Sequence, residues 1–186
     1  MILGDADDVC DIAQGFEWNE TPERILDAAK SITPESFRSH PIEEYENDYA
    51  EWADEWPAEE IAPVEFQIHI EPLIHQPKKK VLLARIPTAK SFEIPAYLCW
   101  GNWNKCPTPA EHVALLRDWN ERFGLEIYGM THDQIECVIE RPPTDKLSSV
   151  KLALEQLLYC IDIAEQGPVP LAAKLLNSRC WYFRWD

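Results

Sequence analysis

The sequence predicts an α+β fold: a mixed or antiparallel sheet with helices packed on it, plus an acidic helical N-terminal extension. Three observations carry this. Apolar residues beyond position 64 alternate with period 2 in some stretches and recur every three or four residues in others. The elements marked in this way run βββαββαβ, interleaved but without a regular βαβ repeat. The charge also divides sharply. Of the net charge of −16, residues 1–60 hold −15, from 18 Asp/Glu against three Lys/Arg, and residues 61–186 hold −1. Two parts follow: an extension over 1–64 and an α+β domain over 65–186.

The elements follow in chain order. Residues 1–20 form an acidic lead-in with little periodicity. "TPERILDAAK" has Thr21 placed to cap a helix and Pro22 at its first position. "TPESF" at 33–37 repeats that start. Pro41 opens and Pro57 closes a helix on which Ile42, Tyr45, Tyr49, Trp52 and Trp56 make one stripe, spaced three, four, three and four apart. Glu43, Glu44, Glu46, Asp48, Glu51, Asp54 and Glu55 occupy its other faces. A Pro/Ala/Glu linker follows. "EFQIHI" (65–70) alternates as a half-buried strand, and "HQPKKK" is a basic turn. "VLLARI" (81–86) reads as a central strand and "AYLCW" (96–100) as a third.

"TPAEHVALLRDWNERFG" is the best-signed helix. Thr108 and Glu111 form a capping box, Pro109 takes the first turn and Gly124 stops it. Val113, Leu116, Asn120 and Phe123 mark its face, with Trp119 at the margin. "LEIYGM" and "IECVIER" flank "THDQ" as a hairpin. Thr144 caps a helix over 145–165, a short helix covers 169–177, and "CWYFRW" is the last strand. Leu147, Val150, Leu154, Leu157, Leu158 and Ile161 line one side of the long helix, beside Ala153, Cys160 and Ala164.

Composition excludes several classes. The chain of 186 residues buries roughly 70% of its unfolded surface and needs no staples. No apolar run reaches 18 residues, and the acidic N-terminus has no signal-peptide form, so no membrane role and a cytoplasmic location are expected. The six cysteines then read as reduced thiols, several of them in the core. Cys99, Cys106 and His112 match no common zinc spacing, so no metal and no cofactor is expected. The acidic field repels phosphates and favours a basic protein partner over nucleic acid. Oligomeric state is open at this level.

Four features invite a functional assignment. In "YLCWGNWNKCPTP", Trp100, Asn102, Trp103 and Asn104 either frame a ligand cleft or lock a strand to a helix through a tight turn at Gly101. Asp133 and Glu136 either act as acid and base, or brace a turn and face water. Cys106 precedes a helix start, as a nucleophile can, but the helix should carry His112 away from it. The stripe of Tyr45, Tyr49, Trp52 and Trp56, with Glu44, Asp48, Glu51 and Glu55 beside it, is either core or an acidic-aromatic recognition surface. The basic turn is a solvated loop, or a dock for that acidic helix.

Five stretches together resemble a bacterial family called domain of unknown function 4253, over about residues 80–186. They are the Trp100–Pro107 knot with Trp119 in the next helix, "THDQIE", "RPP", "QLLYCIDI" with Gln166-Gly167, and the "WYFRWD" ending. Arg184 stands where that family usually carries Trp. The resemblance implies a separate fold unit of a cytoplasmic bacterial protein and carries no reaction with it. Small acidic families of this kind often prove to be immunity proteins, an analogy of class and not of site. The expected function is therefore a non-enzymatic module binding a basic partner, such as a toxin that it neutralises. A small hydrolase or nucleotide-binding enzyme built on the knot with Asp133 and Glu136 is the alternative, and a structural domain the third.

Overall fold

The computed structural model describes residues 20–34, 52, 54–58, 61, 64–71, 75–163 and 167–185. Most of the expected helix over 41–57, with Tyr45, Tyr49, Glu44, Asp48 and Glu51, lies outside the described residues, as does most of "TPESF".

Helix α1 (Pro22–Ser31) begins where its sequence signals place it, with Thr21 accepting from the Arg24 N–H. Strands β1 (Ile70–Glu71) and β2 (Gln76–Pro77) form a two-stranded antiparallel pair. A 3-10 turn (Ser91–Glu93) leads into helix α2 (Ile94–Leu98), and helix α3 (Pro109–Phe123) follows. Strands β3 (Leu125–Met130) and β4 (Gln134–Ile139) make a hairpin. Helices α4 (Lys146–Tyr159) and α5 (Pro168–Leu175) cross over to strand β5 (Cys180–Arg184), which returns antiparallel to β4. The sheet order is β3-β4-β5, with β4 central. The fold is α+β, and among the described residues no helix is long and apolar enough to cross a membrane.

One face of the sheet is the core face. Leu125, Ile127, Met130, Ile135, Cys137, Ile139, Trp181 and Phe183 point into it and are all buried. Trp119 on α3 is its centre, not its margin. The indole stacks on Phe183 (5.6 Å between ring centroids, 7° apart) and meets Tyr159 and Trp181 edge-on. Its Nε1 donates to Glu155 at 3.1 Å, and Arg122 holds the same carboxylate at 2.6 Å. A Trp tolerates deep burial when its N–H finds an acceptor, as here.

Three strand expectations need correction. Residues 94–98 are helical because Pro95 fits the first turn, and Cys99 ends the helix in the left-handed region (φ 48°). A short apolar run has no periodicity to separate strand from helix. Residues 81–86 form no central strand: Val81, Leu82 and Leu83 are exposed, Leu83 by 79%, and only Ala84 and Ile86 pack on the core. The three-stranded sheet is complete without them. In 65–70 only Ile70 is paired as a strand, although Ile68 is buried as the alternation requires.

The long helix is shorter than its apolar pattern. Asp145, not Thr144, caps it through the Ser148 N–H at 2.9 Å, and it ends at Tyr159. Leu147, Leu158 and Ile161 are exposed, while Leu152, Ala153 and Tyr159 face the core.

Candidate functional site

The knot is built from left-handed backbone. Cys99 (φ 48°), Gly101 (φ 121°), Asn102 (φ 72°) and Asn104 (φ 47°) turn the chain from the end of α2 to the start of α3. Asn reaches this region at the least cost among non-glycine residues, because its short amide bonds locally. The Asn102 N–H donates to the Pro107 carbonyl at 2.8 Å and closes the loop. Glu111 then completes the capping box on the Thr108 N–H at 2.7 Å.

Trp100 is fully buried and its Nε1 donates to the Thr131 carbonyl at 2.8 Å. Trp103 is half-buried and meets Trp100 edge-on at 4.7 Å, while Asn102 and Asn104 are exposed. Trp100 is thus part of the core, while Asn102, Trp103 and Asn104 lie at the surface of the turn.

At Gly101 a Cβ would lie 2.3 Å from the Pro107 carbonyl oxygen and 2.9 Å from the His112 Nε2. Gly101→Ala should lower stability by about 2–3 kcal/mol, from backbone strain plus displacement of a backbone oxygen. Equilibrium urea unfolding of the variant checks this, and an unchanged midpoint would refute the close approach.

Beneath Gly101 lies a constellation that sequence reasoning missed. Cys106 Sγ is 3.3 Å from His112 Nε2, and His112 Nδ1 is 2.6 Å from Tyr159 Oη. The expectation that α3 carries His112 away from Cys106 is wrong. The loop folds back over the first turn of α3 and lays the thiol on the imidazole. The sequence singles out Cys106 and His112 but carries no signal that Tyr159 joins them. Trp100, Tyr159 and Trp185 enclose the ring, with centroids 4.9 to 5.4 Å away.

The order thiol, imidazole, phenol is that of a nucleophile, its base and an orienting group. The electrostatics run the other way. Burial pushes the Cys106 thiol well up and the His112 imidazole down to about 3. Burial also raises the Tyr159 phenol. At neutral pH all three groups are uncharged, so the pair is a hydrogen-bonded core element and not a thiolate–imidazolium couple. Cys99, Cys106, Cys137, Cys160 and Cys180 are all free and buried. No group of three His, Cys, Asp or Glu among the described residues could hold a metal ion.

Asp133 and Glu136 are separated in role. Asp133 braces the hairpin turn: its Oδ1 accepts from Thr131 Oγ1 at 2.8 Å and its Oδ2 from Arg184 Nε at 3.1 Å. Glu136 does not face water. It is fully buried on the outer face of the sheet, where its Oε1 accepts from the N–H groups of Gln67 (2.6 Å) and Ile68 (2.9 Å).

Of the expected partner-binding residues, Trp52 and Trp56 are half-buried and pack against the domain core, and Lys146 Nζ sits 5.2 Å from the Trp56 ring centroid. Glu55 is exposed. A groove of about 620 Å³ opens between α1, the 3-10 turn and α3, lined by Arg24, Asp27, Lys30, Lys90, Glu93 and Arg117. With Glu23 the lining holds four cations and three anions, so both signs of charge face it.

These features define the class: an α+β domain whose most distinctive residues, from Trp100 to Trp185, lock one another into a core. The chain belongs to the family described as domain of unknown function (DUF4253), whose sequence profile matches residues 82–186. Neither the curated proteins nor the solved structures hold a match to it.

Proposed function

We propose that the protein is a non-enzymatic, cytoplasmic binding module for a basic protein partner, in the manner of an immunity protein that neutralises a bacterial toxin. One observation carries the reading: residues 1–60 hold a net charge of −15 and the other 126 residues only −1. Such asymmetry favours a cationic partner for that part of the chain and raises its rate of encounter. The side chains suited to acid–base or nucleophilic chemistry support the same reading. Asp133 is engaged in a turn, Glu136 in a backbone contact, and Cys106 and His112 in a neutral pair. A hydrolase on the knot would need Asp133 and Glu136 beside Trp100 and the two asparagines.

The test is titration of the protein with the product of the neighbouring gene at low and high salt. Replacing Glu44, Asp48, Glu51 and Glu55 by their amides should slow association roughly tenfold at low salt and leave dissociation nearly unchanged. If no tight complex forms at either ionic strength, the reading fails.

A further inference from the structure

Glu136 carries a second, unexplained feature. Its Oε1 takes two backbone N–H groups, while its Oε2 is buried with no hydrogen-bond partner. Both donors belong to residues 65–71, which precede the family-matched residues 82–186. That segment crosses the sheet face opposite the core. Phe66 rests on Tyr128 with centroids 4.3 Å apart, and His69 meets the same ring at 6.0 Å. The His69 carbonyl accepts from the Lys78 N–H at 2.8 Å.

We propose that residues 65–71 form a reversible strap over the outer face of the sheet, and that the ionised Glu136 carboxylate beneath it biases the strap toward opening. A carboxylate taken fully out of water needs all its lone pairs satisfied, or its ionised form holds the contact less tightly than its neutral form. Glu136 has one oxygen satisfied and one not. The groups around it do not redress the balance. Lys78 is the cation acting on it. Cys137 beside it, and Cys180 and Tyr182 on β5, are neutral groups that feel its charge. Glu126 on β3 and Glu65 on the strap add further negative charge to this face. Tyr128 and His69 border it through their rings.

The net result agrees with the geometry. Burial raises the Glu136 carboxyl above its ordinary 4.5, against the pull of Gln67, Ile68 and Lys78. A raised value in the closed state means that the closed strap binds the proton more tightly than the open one. The strap therefore tightens as pH falls toward 4.5 and loosens as pH rises through the closed-state value.

Hydrogen exchange at the Gln67 and Ile68 amides tests this in the full-length protein. Glu136→Gln keeps an oxygen for both N–H groups and removes the charge, so their protection should rise, roughly tenfold for each unit by which the carboxyl is raised. Glu136→Ala removes the acceptor, so protection should fall by about tenfold or more. A simple tie would lose protection in both variants, and that result, or no change in Glu136→Gln, overturns the proposal. Phe66→Ala lifts the strap without touching the carboxylate and covers the case in which Glu136→Ala does not fold. It should open Cys180, buried on the outer face, to alkylation, while Cys137 on the core face stays protected. Equal resistance of both thiols in a folded Phe66→Ala protein refutes the strap.

Discussion

Acidification from neutral pH should destabilise the protein through His112. The imidazole is held at about 3 in the folded chain against an ordinary 6.5, because the ring is wholly buried. The unfolded state therefore binds a proton between those two values and the folded state does not. The sign is fixed by that difference: stability is full above 6.5 and is lost progressively as pH falls toward about 3. The loss at the bottom of that window is on the order of 4 kcal/mol, a large share of the stability of an ordinary domain. Urea unfolding at a series of pH values gives the measurement. In the upper part of the window most carboxylates are still ionised, so the slope there reports His112. His112→Gln cannot titrate and should flatten that slope, at the cost of a weaker knot at every pH. Identical slopes in the two proteins would show that the buried imidazole is not the cause.

Trp119→Ala should cost about 3–5 kcal/mol, as large aromatic-to-alanine changes in rigid cores do. The indole packs against Tyr159, Trp181 and Phe183 at once, which brings α3, α4 and β5 together. Removing it opens a cavity among groups that are themselves locked, so collapse is limited. It also removes the indole N–H that donates to the Glu155 carboxylate. In a chain of this size the melting temperature should fall by about 10 °C. Trp119→Phe keeps most of the packing and should recover most of that loss. A fall of less than about 1 kcal/mol for the alanine variant would mean that the core repacks without its central ring.

What could be read in advance depended on how local the cause was. Thr108, Pro109, Glu111 and Gly124 fix α3 through bonds within one or two turns, and those positions are visible in any sequence. The β3–β4 hairpin was legible for the same reason, because its alternation and turn are contiguous. Residues 96–100 and 81–86 read as strands because short, near-continuous apolar runs are compatible with either backbone. Tertiary context decides them: Ala96 is fully buried beside Trp100, while Leu83 lies on the surface. The site was less legible than the fold. Cys106 meets His112 only because four left-handed residues turn the loop back on the helix, and no periodicity encodes that. Glu136 is buried by a segment 68 positions earlier in the chain, a contact that no window of sequence contains.

The last strand has a bearing on biosynthesis. Trp181 and Phe183 lie in β5 and Trp185 follows it, and together they complete the rings around Trp119 and His112. A nascent chain that has reached only α4 has two of the three strands of the main sheet, and it can set Tyr159 but none of the β5 rings or Trp185 against these residues. The centre cannot close until residues 181–185 have been translated, and until then Trp119 and His112 lack the rings that β5 and Trp185 supply.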